Sequence, residues 1–279
     1  MTLEELLKKG EMTLERAGVP EAKINAWYLL SFVTGMTKSA FYLKCAENAE
    51  AWQRKYEEVL YQRMARKPLE YITHETEFMG LPFYVDEHVL IPRQDTECLV
   101  EEVLPLVRGK DILDLCTGSG CIGVSLGALG ECRSVTLADL SQEALQVAKR
   151  NAHTNHVMVT LAQGDLFETV EGSFDVIAAN PPYIPTAEVE ILMPEVREHE
   201  PHMALDGTED GLFFYRRIIE ESSRHLRRGG WLCFEIGYDQ GEPVSSYMKD
   251  AGFQEVTIKK DLVGLDRVVL GRRMEEENV

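Results

Sequence analysis

Residues 111 to 130 read DILDLCTGSGCIGVSLGALG, and this stretch predicts the centre of an α/β fold. The apolar run DILDLC has the length of a buried strand and passes directly into the turn Thr117-Gly118-Ser119-Gly120. A helix is predicted to begin after the turn. Glycines between a first strand and a first helix let the backbone approach a ligand closely. The stretch therefore predicts a ligand-binding turn at the edge of a sheet.

Predicted strands and helices alternate from Asp111 onward. The strands are the runs DILDLC, SVTLADL, DVIAAN, WLCFEIG and DRVVL, and the helices between them include residues 142–153 and 212–226. Such alternation is typical of a doubly wound, mostly parallel sheet with helices on both faces. Residues 94–279 are therefore predicted to form a Rossmann-like α/β domain. Its last five residues, EEENV, are expected to be a frayed tail.

The first 93 residues have a different pattern. Apolar residues recur at helical spacing as far as residue 72, with Gly and Pro between the short runs, which predicts a small helical bundle over residues 1–72. In EFMGLPFYVDEHVLIPR, residues 77–93, the tripeptide Gly80-Leu81-Pro82 separates two β-rich arms. Residues 73–93 are therefore predicted to form a β-hairpin connector between the two domains.

The net charge of -18 over 279 residues is unevenly distributed. Residues 1–72 hold 11 Lys and Arg against 10 Asp and Glu, whereas the remainder holds 18 against 37. An acidic larger domain repels a phosphate backbone, which disfavours duplex DNA as a substrate, although acidity can also serve solubility alone. A protein or small-molecule partner fits this charge better, and no stable nucleic-acid partner is expected.

Composition and cysteine usage indicate the class of protein. The content of 44% hydrophobic and 27% charged residues is ordinary for a globular chain. No uninterrupted apolar run is long enough to span a bilayer, and the opening residues lack the apolar segment of a secretory signal. The six cysteines contain no C-x-x-C pair and are interpreted as reduced, mostly buried thiols. A cytoplasmic protein without membrane attachment is therefore expected.

Asp139 lies 19 residues after Gly120, at the end of the next predicted strand. An acidic side chain there can accept hydrogen bonds from both hydroxyls of a ribose, so the turn and Asp139 together indicate a nucleoside-containing cofactor. A dinucleotide-binding fold prefers G-x-G-x-x-G, which holds a pyrophosphate, but Cys116 occupies the position of the first glycine. S-adenosylmethionine has no phosphate and needs only close approach to its amino-acid part and ribose. It is therefore the predicted cofactor.

A further part of the predicted cofactor site lies in QGDLF, residues 163–167. Asp165 would accept a hydrogen bond from an adenine amino group, with Leu166 and Phe167 against the ring; alternatively, Asp165 caps a helix. The complete predicted cofactor set comprises Cys116, Thr117, Gly118, Ser119, Gly120, Asp139, Leu140, Asp165, Leu166, Phe167 and Asn180.

The run FDVIAANPPYIP, residues 174–185, ends a predicted strand on Asn180. The proline after Asn180 disfavours helical backbone there, and neither Pro181 nor Pro182 has an N–H group. The Asn180 side-chain oxygen and the Pro181 carbonyl could together accept both hydrogens of a planar NH₂ group, with Tyr183 offering a flat face to it. The alternative is a polar turn at a strand end. With the cofactor turn before it, we interpret Asn180 and Pro181 as catalytic, and residues 180–183 as substrate-binding.

The motifs DLCTGSGCI, ADLS, GDLF and NPPYI, in that order, resemble amino methyltransferases with an [N/D]-P-P-[Y/F/W] signature. The flanking runs RKPLEYITHETEFMGLPFYVDEHVLIPRQDTE, EPHMALDGTEDGL, CFEIGYDQG and KDLVGLDRVV narrow the resemblance to the PrmC/HemK family. The resemblance extends from the connector to the last strand, and more weakly over the helical N-terminus. Two positions where the family commonly has glycine are occupied by Cys116 and Thr208.

This resemblance implies a class I methyltransferase domain with S-adenosylmethionine as its cofactor. It implies methylation of the side-chain amide nitrogen, N5, of the glutamine in the GGQ motif of peptide-chain release factors. The helical region 1–72 is then the expected docking surface for the release factor. Arg93 is expected either near the cofactor's carboxylate or in a surface salt bridge.

Several alternatives remain at this point. An adenine-N6 nucleic-acid methyltransferase would use the same pocket for an exocyclic amine of a flipped base, but the acidic charge counts against it. Another glutamine-bearing protein is a possible substrate, and a non-catalytic binding module or an NAD dehydrogenase are weaker candidates. His199 and His202 do not suffice for a zinc site, because Pro201 interrupts any helix and further ligands would be needed. No metal is predicted.

Overall fold

The computed structural model describes residues 1–274, so the predicted tail at residues 275–279 lies outside the described part. The chain divides into two compact units. The smaller, which we call the helical unit, comprises Met1–His74 together with Met193–His199. The larger, the sheet unit, comprises Glu75–Leu192 and the chain from Glu200 onward.

The secondary structure is numbered in chain order. The α-helices are α1 (Leu3–Arg16), α2 (Ala22–Thr34), α3 (Lys38–Lys44), α4 (Glu50–Met64), α5 (Leu69–Thr73), α6 (Gln94–Val103), α7 (Cys121–Leu129), α8 (Gln142–Thr154), α9 (Thr186–Val189), α10 (Pro194–Arg197), α11 (Phe213–Ser222) and α12 (Gly241–Asp250). The strands are β1 (Thr76–Phe78), β2 (Leu81–Phe83), β3 (Asp111–Leu115), β4 (Ser134–Asp139), β5 (Val159–Gln163), β6 (Phe174–Ala179), β7 (Leu226–Glu235), β8 (Phe253–Lys260) and β9 (Asp266–Arg273).

The helical unit is held by an apolar core between α1, α2 and α4. Helix α1 begins at a capping box, in which the Glu5 N–H donates to Thr2 Oγ1 at 3.2 Å and the Thr2 N–H donates to Glu5 Oε2 at 2.9 Å. Leu3, Leu6 and Leu14 of α1 are fully buried, and the buried Tyr56 hydroxyl donates to the Ala26 carbonyl at 3.0 Å. This hydrogen bond ties α4 to α2 through the core.

Within the helical unit, Glu195 of α10 is buried against two arginines. Arg63 Nη2 lies 3.1 Å and Arg66 Nη1 3.4 Å from Glu195 Oε1, and Arg63 Nε also donates to Asn25 Oδ1 at 2.8 Å. The sequence-based boundaries assigned residues 193–199 to the domain 94–279, whereas the structure places them with the helices. The difference arises because α10 is one turn long and finds its partners far back in the chain.

The sheet unit contains a seven-stranded sheet with the order β5-β4-β3-β6-β7-β9-β8. Strands β3 to β7 pair in parallel, and β9 is antiparallel to both β7 and β8. The small hairpin β1-β2 pairs Thr76 with Phe83. The predicted fold class, a doubly wound and mostly parallel α/β sheet with helices before it, is confirmed.

Both faces of the sheet are buried, as a doubly wound fold requires. Along β3, Ile112 belongs to one apolar cluster and Leu113 and Leu115 belong to the cluster on the opposite face. Strand order reverses between β3 and β6, because β3, β4 and β5 extend in one direction and β6 and β7 in the other. Ligands in open parallel sheets bind at such a reversal, beyond the carboxyl ends of the strands. Within residues 1–274, no helix is long and apolar enough to cross a membrane.

Candidate active site

The strand register brings the predicted residues to one edge of the sheet. Leu115 at the end of β3 pairs with Ala138 of β4 on one side and with Ala179 of β6 on the other. The residues that follow these pairs are Cys116, Asp139 and Asn180. Residues far apart in the sequence therefore meet at the point where the strand order reverses.

A cavity opens at this edge, with about 990 Å³ of empty space including its solvent-facing mouth. The predicted site residues that line it are Cys116, Thr117, Gly118, Ser119, Asp139, Leu140, Asp165, Leu166, Asn180 and Pro182. The other four predicted residues are not among those that line it: Gly120, Phe167, Pro181 and Tyr183.

The glycine-rich turn has left-handed backbone at three positions. Gly118 and Gly120 have φ of 53° and 81°, and Cys116, where the family commonly has glycine, has φ of 59°. The cysteine therefore follows the backbone path of a glycine, at a conformational cost of about 1–2 kcal/mol. A Cβ on Gly120 would lie 3.1 Å from the Ala148 Cβ, so this glycine also permits close packing of α7 on α8.

Asp114, a residue that the sequence analysis missed, binds the glycine-rich turn and the start of α7 by hydrogen bonds. Its Oδ2 accepts hydrogen bonds from Thr117 Oγ1 at 2.5 Å and from the Gly123 N–H at 2.8 Å. The side chain is fully buried, and burial raises the pKa of the Asp114 carboxyl to about 7. Its signal in the sequence is an acidic residue inside the apolar run DILDLC.

Asp139 is placed between the turn and the start of α8. Its Oδ2 accepts from the Gly118 N–H at 2.8 Å and its Oδ1 accepts from the Ser141 N–H at 2.9 Å. Burial raises the pKa of this carboxyl above its ordinary value. Each carboxylate oxygen has a second lone pair, so Asp139 retains acceptor capacity at the cavity wall.

The QGDLF segment differs from expectation at two residues. Both carboxylate oxygens of Asp165 lie 3.0 Å from Arg217 Nη1, so an ion pair already engages this side chain. Phe167 does not face a ring site in the cavity: it is buried in the core and stacks on His225, with ring centroids 4.8 Å apart. Leu166, with φ of 53°, lines the cavity as expected of a contact residue.

The Asn-Pro-Pro-Tyr loop is organised around Glu235, the last residue of β7. Asn180 Nδ2 donates to Glu235 Oε2 at 2.9 Å and lies 3.4 Å from Thr96 Oγ1. The Tyr183 hydroxyl donates to Glu235 Oε1 at 3.3 Å. Glu235 is buried, and burial raises the pKa of its carboxyl to about 7. The sequence analysis missed it, although an acidic residue in the apolar strand WLCFEIG was a signal.

The backbone of the same loop accepts a hydrogen bond from a glutamine and packs closely against two glycines. Gln240 Nε2 donates to the Tyr183 carbonyl at 2.9 Å, and a Cβ on Gly207 would lie 2.7 Å from the Tyr183 Cα. Gly211 approaches the Tyr183 carbonyl in the same way. Thr208, the second residue at a frequent glycine position, has φ of 72° and so keeps the left-handed path.

Arg93 forms an ion pair with Glu200, whose other oxygen accepts from the Ile91 N–H at 3.3 Å. Arg93 therefore pairs with the Glu200 carboxylate, which matches the salt bridge that was one of the two expectations for this residue. His199 Nε2 lies 3.1 Å from the Ala65 carbonyl within the helical unit, and His202 belongs to the sheet unit. Within residues 1–274, no group of three or more His, Cys, Asp or Glu side chains is placed to hold a metal ion.

Comparison with known proteins finds methyltransferase relatives that match this chain over nearly its whole length. Residues 5–73 match the family described as the PrmC N-terminal domain, and residues 94–197 match the methyltransferase small domain. The release factor glutamine methyltransferase of Geobacter sulfurreducens is 40% identical over 97% of this chain and 96% of its own length. The enzyme of the same name from Clostridium botulinum is 38% identical over 98% and 100% of the two chains.

Among solved structures, a methyltransferase from Pyrococcus furiosus covers 80% of this chain and 99% of its own, with a TM-score of 0.56 at 20% identity. That likeness supports the fold. The relatives and the two family matches carry the assignment further, because they extend across both units. The chain is an enzyme with a methyltransferase domain, and it belongs to the release factor glutamine methyltransferase family.

Proposed function

We propose that this protein transfers a methyl group from S-adenosylmethionine to the side-chain amide nitrogen, N5, of the glutamine in the GGQ motif of peptide-chain release factors. The observation that carries the proposal is the orientation of Asn180 at the cavity. Its amide nitrogen is bound to Glu235 Oε2 at 2.9 Å, which leaves its side-chain oxygen to accept a hydrogen bond. An acceptor at this place suits a substrate that presents an NH₂ group.

The residues at the sheet edge fit S-adenosylmethionine. Its ribose hydroxyls need acceptors, and Asp139 retains a lone pair on each oxygen. The turn at Gly118 and Gly120 keeps side chains out of the way of the cofactor's amino-acid part, and Leu140 and Leu166 offer apolar surface for the adenine ring. When bound, the sulfonium supplies an electrophilic methyl group. The Asp165 carboxylate, already paired with Arg217, contributes to the adenine amino group only as a shared acceptor.

The chain's own groups prepare the glutamine amide for reaction. An amide nitrogen is a poor nucleophile, because its lone pair is delocalised into the carbonyl group. The Asn180 side-chain oxygen and the Pro181 carbonyl accept its two hydrogens and thereby fix the plane of the NH₂ group, while Tyr183 packs against that plane. As positive charge develops on the nitrogen, both hydrogen bonds strengthen, which stabilises the transition state more than the ground state.

Positioning supplies a second contribution, since well-oriented reacting groups can lower a barrier by roughly 7–11 kcal/mol at most. The Tyr183 carbonyl is held by Gln240 and its hydroxyl by Glu235, so the loop that grips the amide is fixed at both ends of the tyrosine. The proton leaves to water after transfer. No strong base is needed at residues 180–183 in this scheme.

The helical unit is proposed to dock the release factor. Helix α2 exposes Ile24, Tyr28 and Phe32 at a spacing of four residues, which places them on one helix face. Lys55 Nζ lies 5.4 Å from the centre of the Phe32 ring and adds positive charge beside this apolar stripe. A substrate protein therefore meets a surface with little net charge, unlike the acidic remainder of the chain.

The docking proposal is tested with Tyr28→Asp rather than with a deletion of residues 1–72, because a deletion would also expose α10. We expect Tyr28→Asp to raise KM for the intact release factor and to leave the rate on a short GGQ peptide unchanged. Equal kinetics on both substrates for variant and parent would refute docking through this stripe. Lys8→Gln at an exposed position of α1, which also lowers the net charge by one, is the charge-matched control.

The proposed activity is tested by incubating a release factor with enzyme and isotopically labelled S-adenosylmethionine, followed by peptide mass spectrometry. We expect one methyl group on the GGQ glutamine. Parallel reactions contain adenine-rich DNA, RNA and total cellular protein, because an adenine-N6 activity would use the same pocket. Label on nucleic acid instead of the factor, or on a different residue of the factor, would overturn the proposal.

A cytoplasmic location is part of this proposal. All six cysteines are free thiols in the structure, and reduced cysteines are typical of proteins in reducing compartments. The proposed protein substrate acts in translation, which takes place in the same compartment.

A further inference from the structure

Glu235 makes side-chain hydrogen bonds to two residues of the Asn-Pro-Pro-Tyr loop. One of its oxygens accepts from Asn180 Nδ2 at 2.9 Å and the other accepts from the Tyr183 hydroxyl at 3.3 Å. Glu235 itself is 2% exposed. A buried carboxylate is costly to desolvate unless partners satisfy it, so its presence at the end of the apolar run WLCFE calls for an explanation in terms of the loop.

The orientation of the Asn180 amide depends on which group Glu235 presents. An ionised carboxylate only accepts hydrogen bonds, so it selects the NH₂ end of the amide and directs the side-chain oxygen away from itself. A protonated carboxyl can donate from one oxygen, and it then binds the oxygen end of Asn180 equally well. In that arrangement Asn180 presents its NH₂ group, which repels the NH₂ group of a substrate.

We propose that ionised Glu235 is a positioning residue, which orients and polarises the Asn180 amide so that its side-chain oxygen grips the methyl-accepting amide. This inference rests on the proposed function of Asn180. It adds a negative charge that does not touch the substrate and acts on it through the Asn180 side chain. The negative charge draws the amide hydrogens of Asn180 and increases the electron density on its oxygen. That oxygen then stabilises the positive charge that develops on the substrate nitrogen.

The surroundings of Glu235 set the balance between its two protonation states. The net pKa of Glu235 is raised to about 7: burial is the largest cause and Asp95 on α6 also raises it, whereas Thr96, Arg267 and Tyr183 lower it. Arg267 of β9 is itself engaged, with Nη2 at 3.2 Å from both Asp95 and Asp261. Two more titratable groups face Glu235: the Cys121 thiol on α7 and the Tyr215 hydroxyl on α11, and both have a pKa raised by burial.

A pH dependence follows from this arrangement. Since the pKa of Glu235 is raised to about 7, the carboxylate predominates above that pH and the neutral acid below it. Methyl transfer is therefore expected to rise as the pH increases through about 7 and then to level off. Glu235 takes no proton from the substrate in this scheme. The methyl group still passes to the substrate nitrogen, and the proton that this nitrogen loses still leaves to water.

The decisive variant is Glu235→Gln, which preserves shape and removes the charge. We expect its kcat to fall by about 10- to 100-fold, the loss that is typical when a residue that orients a metal ligand through a hydrogen bond is replaced. Its KM for S-adenosylmethionine is expected to stay unchanged, and its rise in activity around pH 7 is expected to disappear. Glu102→Gln is the matched control, because Glu102 lies on α6 in an exposed ion pair with Lys259. This control should keep both the kcat and the pH profile of the parent.

The inference would be overturned by a parent enzyme whose kcat shows no inflection near the raised pKa of Glu235, or by a Glu235→Gln variant with the parent's kcat and pH profile. The first requires no variant and therefore decides the case if Glu235→Gln fails to fold. Loss of methyl transfer together with loss of cofactor binding in a folded Glu235→Gln protein would also overturn it, since that pattern indicates a structural role.

A spectroscopic measurement tests this inference independently of the proposed function. The side-chain amide signal of Asn180, assigned in nitrogen-15-labelled protein by comparison with Asn180→Asp, should shift as Glu235 titrates. The shift should be absent in Glu235→Gln. If the parent enzyme does not methylate a release factor, the proposed function fails, while this titration still decides whether Glu235 controls Asn180. An Asn180 signal that does not move with pH would refute the control.

Discussion

The Asp139 carboxylate accepts a 2.8 Å hydrogen bond from the backbone N–H of Gly118, and so joins the end of β4 to the turn that follows β3. The two residues are 21 positions apart, but β3 and β4 pair directly, with Leu115 opposite Ala138. The hydrogen bond fixes the carboxylate and the turn relative to each other. A ligand that contacts both therefore meets a preorganised surface, which lowers the entropic cost of binding.

Asp139→Ala should weaken the binding of S-adenosylmethionine by about 1.5–3 kcal/mol, because it removes charged acceptors for the ribose hydroxyls and releases the turn. Isothermal titration calorimetry measures this change directly. Asp239→Ala, which removes an exposed acidic side chain just after β7, is the control and should bind as the parent does. Unchanged affinity in Asp139→Ala would contradict the proposed ribose contact.

Asn180→Ala should reduce kcat for methyl transfer by about 10²- to 10³-fold, the usual effect of removing one polar group that stabilises developing charge. Cofactor affinity should stay close to that of the parent, because the turn and Asp139 are untouched. Single-turnover kinetics with labelled cofactor, combined with calorimetry, separates these two quantities. An active Asn180→Ala enzyme would disprove the proposed grip on the substrate amide.

Substitutions at Cys116 test the left-handed backbone of the turn, where φ is 59°. Cys116→Gly should bind S-adenosylmethionine as well as the parent, because glycine adopts this conformation without a steric penalty. Cys116→Val should lower the free energy of unfolding by about 1–2 kcal/mol, since a β-branched residue is disfavoured at positive φ. Urea denaturation followed by circular dichroism provides the comparison. Equal stability of the two variants would show that the turn is not constrained in this way.

Asp114 should make stability depend on pH. Its folded-state pKa is raised to about 7, against an ordinary value of 3.8, so between these values the folded protein holds a proton that the unfolded chain has released. Stability therefore falls as pH rises through this window, by up to about 1.4 kcal/mol per pH unit for this group. Asp114→Asn keeps an acceptor for Thr117 and removes the titration.

The check on Asp114 is the difference in unfolding free energy between Asp114→Asn and the parent, measured at several pH values. The variant should gain stability relative to the parent as pH rises from about 4 to about 7, and the difference should then become constant. A difference that does not vary with pH would mean that Asp114 titrates normally in the folded protein.

The ion pair between Arg63 and Glu195 should contribute strongly to the stability of the helical unit. Their side chains are 7% and 12% exposed, so Glu195→Ala would leave a buried guanidinium without its counter-ion, at a cost of about 3–5 kcal/mol. The exposed pair of Arg54 and Glu58 on α4 serves as the control, and Glu58→Ala should cost less than about 1 kcal/mol. Similar losses in both variants, measured by thermal denaturation, would contradict the prediction.

The cavity shows which parts of a site can be predicted from local sequence. Residues predicted at strand ends and in the glycine turn line this cavity, because strand periodicity and glycine position report directly on backbone geometry. Phe167, which was predicted to lie against the cofactor, is buried in the core, because adjacent side chains point in different directions and only packing decides which one reaches the cavity. Asp114 and Glu235 were missed, since their roles depend on partners in other segments.

By itself, the sequence determined the alternation of strands and helices, the doubly wound α/β fold class, the glycine-rich turn and the resemblance to the family, because each depends on residues close together in the chain. Only the tertiary structure decided that Glu235 holds Asn180 across 55 positions and that Arg63 holds Glu195 across 132. The physical reason is that hydrogen bonds and ion pairs act over a few ångströms of space. The pairing of strands and the packing of helices, rather than separation along the chain, select which groups come within that distance.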